Sequence, residues 1–181
     1  MAETRGFDAI IIGAGAAGMF CAGVAGQRGR KVLLVDHSAE PGRKILISGG
    51  GRCNFTNIGA GAANFLSANP HFAKSALGRY TPADFLALVE RHGIAWHEKT
   101  LGQLFCDGSS RQIVAMLLDE CRSGGVEMAF GEPADVEHRD GRFTVTAGRL
   151  AASAPALVLA TGGLSIPKLG ATSFSYDVAR R

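Results

Sequence analysis

A glycine turn set between an apolar run and a helix constrains this chain more than any other feature. Phe7 to Ile12 is short, rich in β-branched residues and ended by Gly13, as expected of a strand buried in a parallel sheet. Gly13-Ala14-Gly15-Ala16-Ala17-Gly18 follows, and Ala16 to Arg28 reads as a helix of small residues. Lys31 to Val35 is a second buried strand, closed by Asp36. Strand, turn, helix and strand within about 30 residues make a βαβ unit. Gly13 permits the tight turn, Gly15 lets a pyrophosphate approach the backbone, and Gly18 lets the helix lie close to the sheet. The first N–H groups of the helix, those of Ala16, Ala17 and Gly18, hold the phosphates with help from the helix dipole. Asp36 is expected to accept hydrogen bonds from an adenosine ribose and to repel a 2′-phosphate, which disfavours NADP at this turn. His37 is placed to contact ribose or adenine. The alternative is a βαβ unit whose small residues serve packing alone.

Glycine is over-represented, with 25 residues in 181 against an average of about 7%. The glycines gather at 13–18, 49–51, 59–61 and 162–163, which suggests backbone approaching a ligand. The second gathering lies in Pro41 to Asn57. Three consecutive glycines there, Gly49, Gly50 and Gly51, allow positive φ and close approach. Arg43, Lys44 and Arg52 can meet phosphate or the electron-rich edge of a flavin, and Ser48, Cys53 and Asn54 complete the loop. The competing reading is a flexible surface loop, which accounts poorly for its apolar residues.

The rest of the chain alternates helices and strands. Ser38 to Gly61 shows no strong period and reads as a loop. Asn69-Pro70 begins a helix through Leu77. Thr81-Pro82-Ala83-Asp84 starts a further helix to about Arg91, with Thr as cap and Pro in the first turn. Ile94 to His97 and Gln103 to Cys106 are short strands, and Ser109 or Ser110 caps a helix to about Cys121. Val126 to Phe130, Ala134 to His138 and Arg142 to Thr146 read as a three-stranded meander, with Asp140-Gly141 as a hairpin turn. Ala156 to Ala160 is another buried strand, leading into Thr161-Gly162-Gly163, and a last helix starts near Ser173. The expected fold class is α/β: a Rossmann-like dinucleotide-binding domain with a central parallel sheet, a small meander and helices on both faces.

Three stretches together, residues 13–18, 42–57 and 160–172, resemble the BaiN/YhiN-like family of bacterial FAD-dependent oxidoreductases, also called aminoacetone-oxidase-like flavoproteins. The sequence departs from the family pattern at Asp36, where relatives often carry Glu, and at Ser175, where they carry Gly. The resemblance implies bound FAD, with NAD(P)H as a transient electron donor and a small organic molecule as substrate. It implies that Ala160, Thr161, Gly162 and Gly163 abut the FAD and that the backbone at Ala134 touches adenine. It also implies that residues 1–181 are the N-terminal part of the FAD-binding domain, with an inserted substrate domain and the return of the sheet missing and FAD weakly held or not retained. The other functions considered are an NAD-binding dehydrogenase domain and a truncated, non-catalytic nucleotide-binding module.

Catalytic residues are not named by the sequence. Disulfide-reductase flavoenzymes use two cysteines four residues apart. The partner position of Cys53 is Ile58, which excludes that mechanism and leaves Cys53 as a lone candidate thiol, with loop packing as the alternative. Cys21, Cys53, Cys106 and Cys121 form no CxxC and no metal-ligand spacing, so reduced thiols, no metal and a cytoplasmic location are expected. The net charge is +3 with charges scattered. The densest cluster, Arg28 to Lys31, reads as a helix end. No nucleic-acid partner is therefore expected, and no membrane partner, since no run of about 18 apolar residues occurs.

Overall fold

The computed structural model describes residues 4–166 and 170–181. Among them the chain divides into two units, residues 1–44 with 117–181 and residues 45–116.

The first unit is built on a parallel sheet in the order β11-β2-β3-β7, comprising β2 (Ala9–Ile12), β3 (Val32–Asp36), β7 (Glu127–Phe130) and β11 (Ala156–Leu159). β2 lies in the middle, in register with Val32–Val35 on one side and Ala156–Leu159 on the other. Side chains alternate across a strand, and both sets are apolar here. Ile10, Ile12, Leu33 and Val35 join Val136, Val145, Ala152 and Ala154 in one core. Ile11, Val32 and Leu34 point the other way, towards α1 (Ala16–Gln27), which packs on β2 and β3. Each such fully buried side chain contributes roughly 1.5–3 kcal/mol. α1 can approach closely elsewhere too: a Cβ at Gly26 would lie 2.4 Å from the carbonyl oxygen of Gly124.

The meander differs from the expected one. Residues 126–130 do not belong to it: β7 pairs in parallel with β3. The second sheet is instead β1-β10-β9-β8, with β1 (Arg5–Gly6), β8 (Ala134–Arg139), β9 (Arg142–Ala147) and β10 (Leu150–Ala154). β10 is Leu-Ala-Ala-Ser-Ala, a composition of weak strand propensity, and its only sequence-level trace is its place between two turns. The hairpin at Asp140-Gly141 is as expected, with both residues at positive φ. α6 (Phe174–Arg180) lays Phe174 and Val178 against the core under this sheet.

The second unit holds a three-stranded sheet, β4-β6-β5, of β4 (Asn54–Asn57), β5 (Trp96–Glu98) and β6 (Gln103–Cys106). α3 (Lys74–Arg79) and α4 (Pro82–Arg91) precede β5. The capping reading at α4 is correct in detail. Thr81 Oγ1 accepts from Asp84 N–H at 3.2 Å, and the Asp84 carboxylate accepts from the Thr81 hydroxyl and from Thr81 N–H, each at 2.7 Å, two bonds that hold the carboxyl below its usual range, the hydroxyl's first. The expected helix at 69–77 begins later. Asn69 Oδ1 accepts from His71 N–H (3.0 Å) and makes a turn there, a competing use of Asn before Pro. Nor is 38–61 all loop: it contains α2 (Arg43–Ile47), a 3-10 turn at Ser48–Gly51 and β4. These pieces are too short to show a period. α5 (Arg111–Ser123) then carries the chain from this unit into the first. Among the described residues no helix is long and apolar enough to cross a membrane.

Candidate functional site

The residues singled out in the sequence fall into two groups, one in each unit.

In the first unit they converge on the glycine turn. Gly13 has φ +113°, and a Cβ there would lie 2.5 Å from the carbonyl oxygen of Ala160. A Cβ at Gly18 would lie 1.7 Å from the carbonyl oxygen of Gly13. The turn, the start of α1 and the end of β11 are therefore locked together by absent side chains. Gly15 is different. It caps α1 at φ −81° and ψ −173°, an ordinary extended conformation, and nothing lies within 4 Å of where its Cβ would be. The fold tolerates a side chain at this position. No side chain caps the helix start at Gly15, and the first turn, with Ala16 and Ala17, holds no acid. Its N–H groups have no intrahelical acceptors.

Asp36 has a task that the sequence did not disclose. Its Oδ2 accepts from Ala14 N–H at 2.5 Å and its Oδ1 from Ser38 N–H at 2.7 Å. The carboxylate thus braces the glycine turn from the end of β3. A carboxylate has about four acceptor sites, so capacity for further donors remains. His37 Nδ1 lies 3.5 Å from Asp36 Oδ1. Gly42 N–H donates to Ala14 O (2.8 Å), which ties the 37–44 segment to the same turn. Lys44 Nζ donates to Ser165 Oγ at 3.1 Å and lies beside Gly162, and a Cβ at Gly170 would meet His37 and Arg43. Turn, acid, cations and the 160–165 loop are therefore neighbours. Thr161 Oγ1, just past the end of β11, is buried and has no hydrogen-bond partner among the described residues, a costly condition for a hydroxyl. Gly163 is exposed. Ala134 opens β8 in the other sheet. The preceding loop starts beside the acid, where Gly131 N–H donates to Asp36 O (3.0 Å). Pro167, Lys168 and Leu169 of the third motif lie outside the described residues.

In the second unit, Ser48–Gly51 form a tight 3-10 turn, and the chain runs through Arg52 and Cys53 into β4 at Asn54. Gly49, Gly50 and Gly51 have φ of +57°, +65° and +86°. A Cβ at Gly49 would lie 2.7 Å from the Phe105 ring, whereas Gly50 and Gly51 face open space. Ser48 Oγ donates to Ile45 O (2.9 Å), and Arg52 is exposed with its carbonyl accepting from Cys106 N–H (3.0 Å). Asn54 begins β4, opposite Phe105. Ser110 was expected only as a possible cap. It is buried instead, donating its hydroxyl to Leu46 O (2.9 Å) and its N–H to Gly51 O (2.8 Å), while Ser109 Oγ accepts from Arg111 N–H at the helix start. Ser110 fastens both ends of the glycine loop. No sequence signal separates a hydroxyl turned inward from one turned to the helix.

Cys53 is buried at φ +53°. Burial pushes its thiol up, partly offset by a hydrogen bond with Ser48. Cys106, beside it, is pushed up to about 11 by burial first and then by Cys53 and Asp107. Neither is a ready thiolate at neutral pH.

Residues 7–181 match the family model described as the HI0933-like protein Rossmann domain. The chain belongs to the HI0933-like family. Over 176 residues it is 58% identical to the Ribosomal RNA dihydrouridine synthase of Escherichia coli strain K12, covering 97% of this chain and 44% of that protein. Over 177 residues it is 49% identical to the Haemophilus influenzae protein of the same name, covering 95% and 44%. The chain thus spans less than half the length of these relatives. The fold is shared with the 3-ketosteroid-delta4-(5alpha)-dehydrogenase of Rhodococcus jostii RHA1, at a TM-score of 0.65 and 14% identity, over 90% of this chain and 47% of that one. The family resemblance therefore stands at the level of the Rossmann family, without the aminoacetone-oxidase designation. The expectation of no nucleic-acid partner is overturned: both of these relatives are named for ribosomal RNA. That expectation rested on net charge and the want of a basic face, and the average charge of a chain says little about one local surface.

Proposed function

We propose that this chain forms the FAD-binding part of a cytoplasmic, flavin-dependent reductase that acts on uridine in ribosomal RNA, with NAD(P)H as electron donor. The observation that carries the flavin reading is Gly15. Its backbone conformation suits any residue and its surroundings leave room for a side chain. A glycine at that helix cap is therefore explained by something that must come close to the backbone, as a pyrophosphate does. The relatives' names support the RNA reading.

The residues present fit FAD. Ala16, Ala17 and Gly18 offer their N–H groups to the pyrophosphate at the positive end of α1. Asp36 takes the ribose hydroxyls on the acceptor capacity left over from Ala14 and Ser38. The unpartnered Thr161 Oγ1 finds its partner in the cofactor. Lys44, held by Ser165, adds positive charge beside the 160–163 loop. When bound, FAD supplies a carrier that takes hydride from a nicotinamide and delivers it to the C5–C6 double bond of uracil, a proton completing the addition of two hydrogens. Cys53, a buried neutral thiol, has no part in this reading.

The first test is the visible spectrum of the purified chain before and after added FAD. A bound-flavin spectrum is expected once FAD is added. A chain that ignores FAD yet binds NAD would replace the flavin reading with a dehydrogenase one. The second test incubates the FAD-loaded chain with NADH or NADPH and a ribosomal RNA transcript, then digests the RNA for mass spectrometry of nucleosides. Dihydrouridine is expected, and flavin turnover on nicotinamide with no reduced uridine would overturn the RNA assignment.

A further inference from the structure

Positive charge is unevenly spread along the sequence. From Pro41 to Ala83 there are five Lys or Arg and no Asp or Glu, in a chain with 16 acids. Within this span, residues 63–80 of the second unit are exposed at sixteen of eighteen positions. Leu66 is 98% exposed, Phe72 79% and Phe65 53%, and Tyr80 is partly exposed. Clustered apolar side chains in water mark an interaction site more often than chance. The segment holds its own backbone in place: Asn64 Oδ1 accepts from Gly61 N–H (2.8 Å), Phe72 N–H donates to Asn69 O (3.1 Å) and Lys74 N–H to His71 O (3.2 Å).

Two cations, Lys74 and Arg79, follow Phe72 and precede Tyr80 along the segment, both exposed and, among the described residues, with no ion pair. Exposed rings and cations together in one short segment free of acids match one kind of partner. Unpaired bases stack on aromatic faces while the phosphates between them meet Lys and Arg. A second copy of this chain would bring the same positive charge to the surface. A neutral apolar partner would leave both cations without a counter-charge.

We propose that residues 63–80 are a docking surface for single-stranded RNA, with Phe65 and Phe72 as stacking platforms and Lys74 and Arg79 as phosphate contacts. This rests on the reading of the chain as part of an RNA-modifying enzyme.

The test is fluorescence anisotropy of a labelled, uridine-containing single-stranded oligoribonucleotide titrated with the FAD-loaded chain over a range of salt. Three variants are compared: Phe65→Ala with Phe72→Ala, Lys74→Gln with Arg79→Gln, and Arg149→Gln as a control cation in the other unit. All five side chains are exposed, and unchanged circular dichroism checks the fold. Loss of each ring is expected to weaken binding about tenfold. Loss of each cation is expected to lower the slope of log affinity against log salt by about 0.7. Arg149→Gln should change neither. Tight RNA binding that both the double Phe variant and the double cation variant leave intact overturns the docking surface while the RNA reading stands. A wild-type chain with no affinity for RNA even at low salt overturns that reading and the surface with it. A dimer that the double Phe variant converts to monomer, with RNA affinity unchanged, assigns the surface to a second copy and overturns the proposal.

Discussion

Two glycine-rich loops in this chain use glycine for opposite reasons. At residues 13–18 the absent Cβ atoms make room for neighbouring backbone: Gly13 against Ala160 and Gly18 against Gly13. At 49–51 space is the constraint only for Gly49. Gly50 and Gly51 face open surroundings, and what they supply is positive φ. Gly15 fits neither case, being neither crowded nor left-handed. The same residue type thus records packing, backbone curvature and, at Gly15, the approach of something outside the chain. A count of glycines in the sequence merges all three.

Substitutions separate them. The largest effect on stability is expected at Gly18→Ala, where a methyl would overlap the Gly13 carbonyl. Overpacking of this kind costs about 3 kcal/mol, read as a lower urea midpoint with an unchanged slope. A Gly18→Ala chain of wild-type stability would mean that the turn is not locked as described. Gly15→Val is next, and on a different axis. FAD affinity should fall about 10- to 100-fold, the equivalent of the steric cost, while the urea midpoint falls only by the roughly 0.5–1 kcal/mol of a poorer helix cap; equal loss of stability and affinity would return Gly15 to the packing class. Gly50→Ala should cost about 1–2 kcal/mol, the strain of a left-handed non-glycine residue, with no steric contribution. A cost as large as that at Gly18 would erase the contrast between the loops. Ser110→Ala, which deprives Leu46 O of its donor, should cost about 1 kcal/mol, and limited proteolysis should then show residues 46–51 opening first.

Local signals were legible and distant ones were not. The glycine turn, Asp36 and the Thr81–Asp84 cap are each written within a few residues of one another or at a fixed spacing along one βαβ unit. Strand β7 carries a strand pattern, yet nothing in Glu127 to Phe130 says whether its partner is β3 or the following hairpin. Its parallel pairing depends on a crossover through more than eighty intervening residues, from Asp36 to Glu127. β10 was missed because alanine carries little strand preference. The inward turn of Ser110 depends on Leu46, 64 residues away. The exposed rings at 65 and 72 were present in the sequence as phenylalanines, and only the structure distinguishes them from core.

The bond from Ala14 N–H to Asp36 bears on protein engineering. An acid at the end of this strand is the usual lever for changing cofactor preference in Rossmann folds, because it touches the sugar. Here the same carboxylate is also a structural strut for the loop that would carry the phosphates. Replacing it to admit a different nucleotide would slacken that loop for every nucleotide alike. A redesign of specificity in this scaffold should therefore begin by giving Ala14 another acceptor.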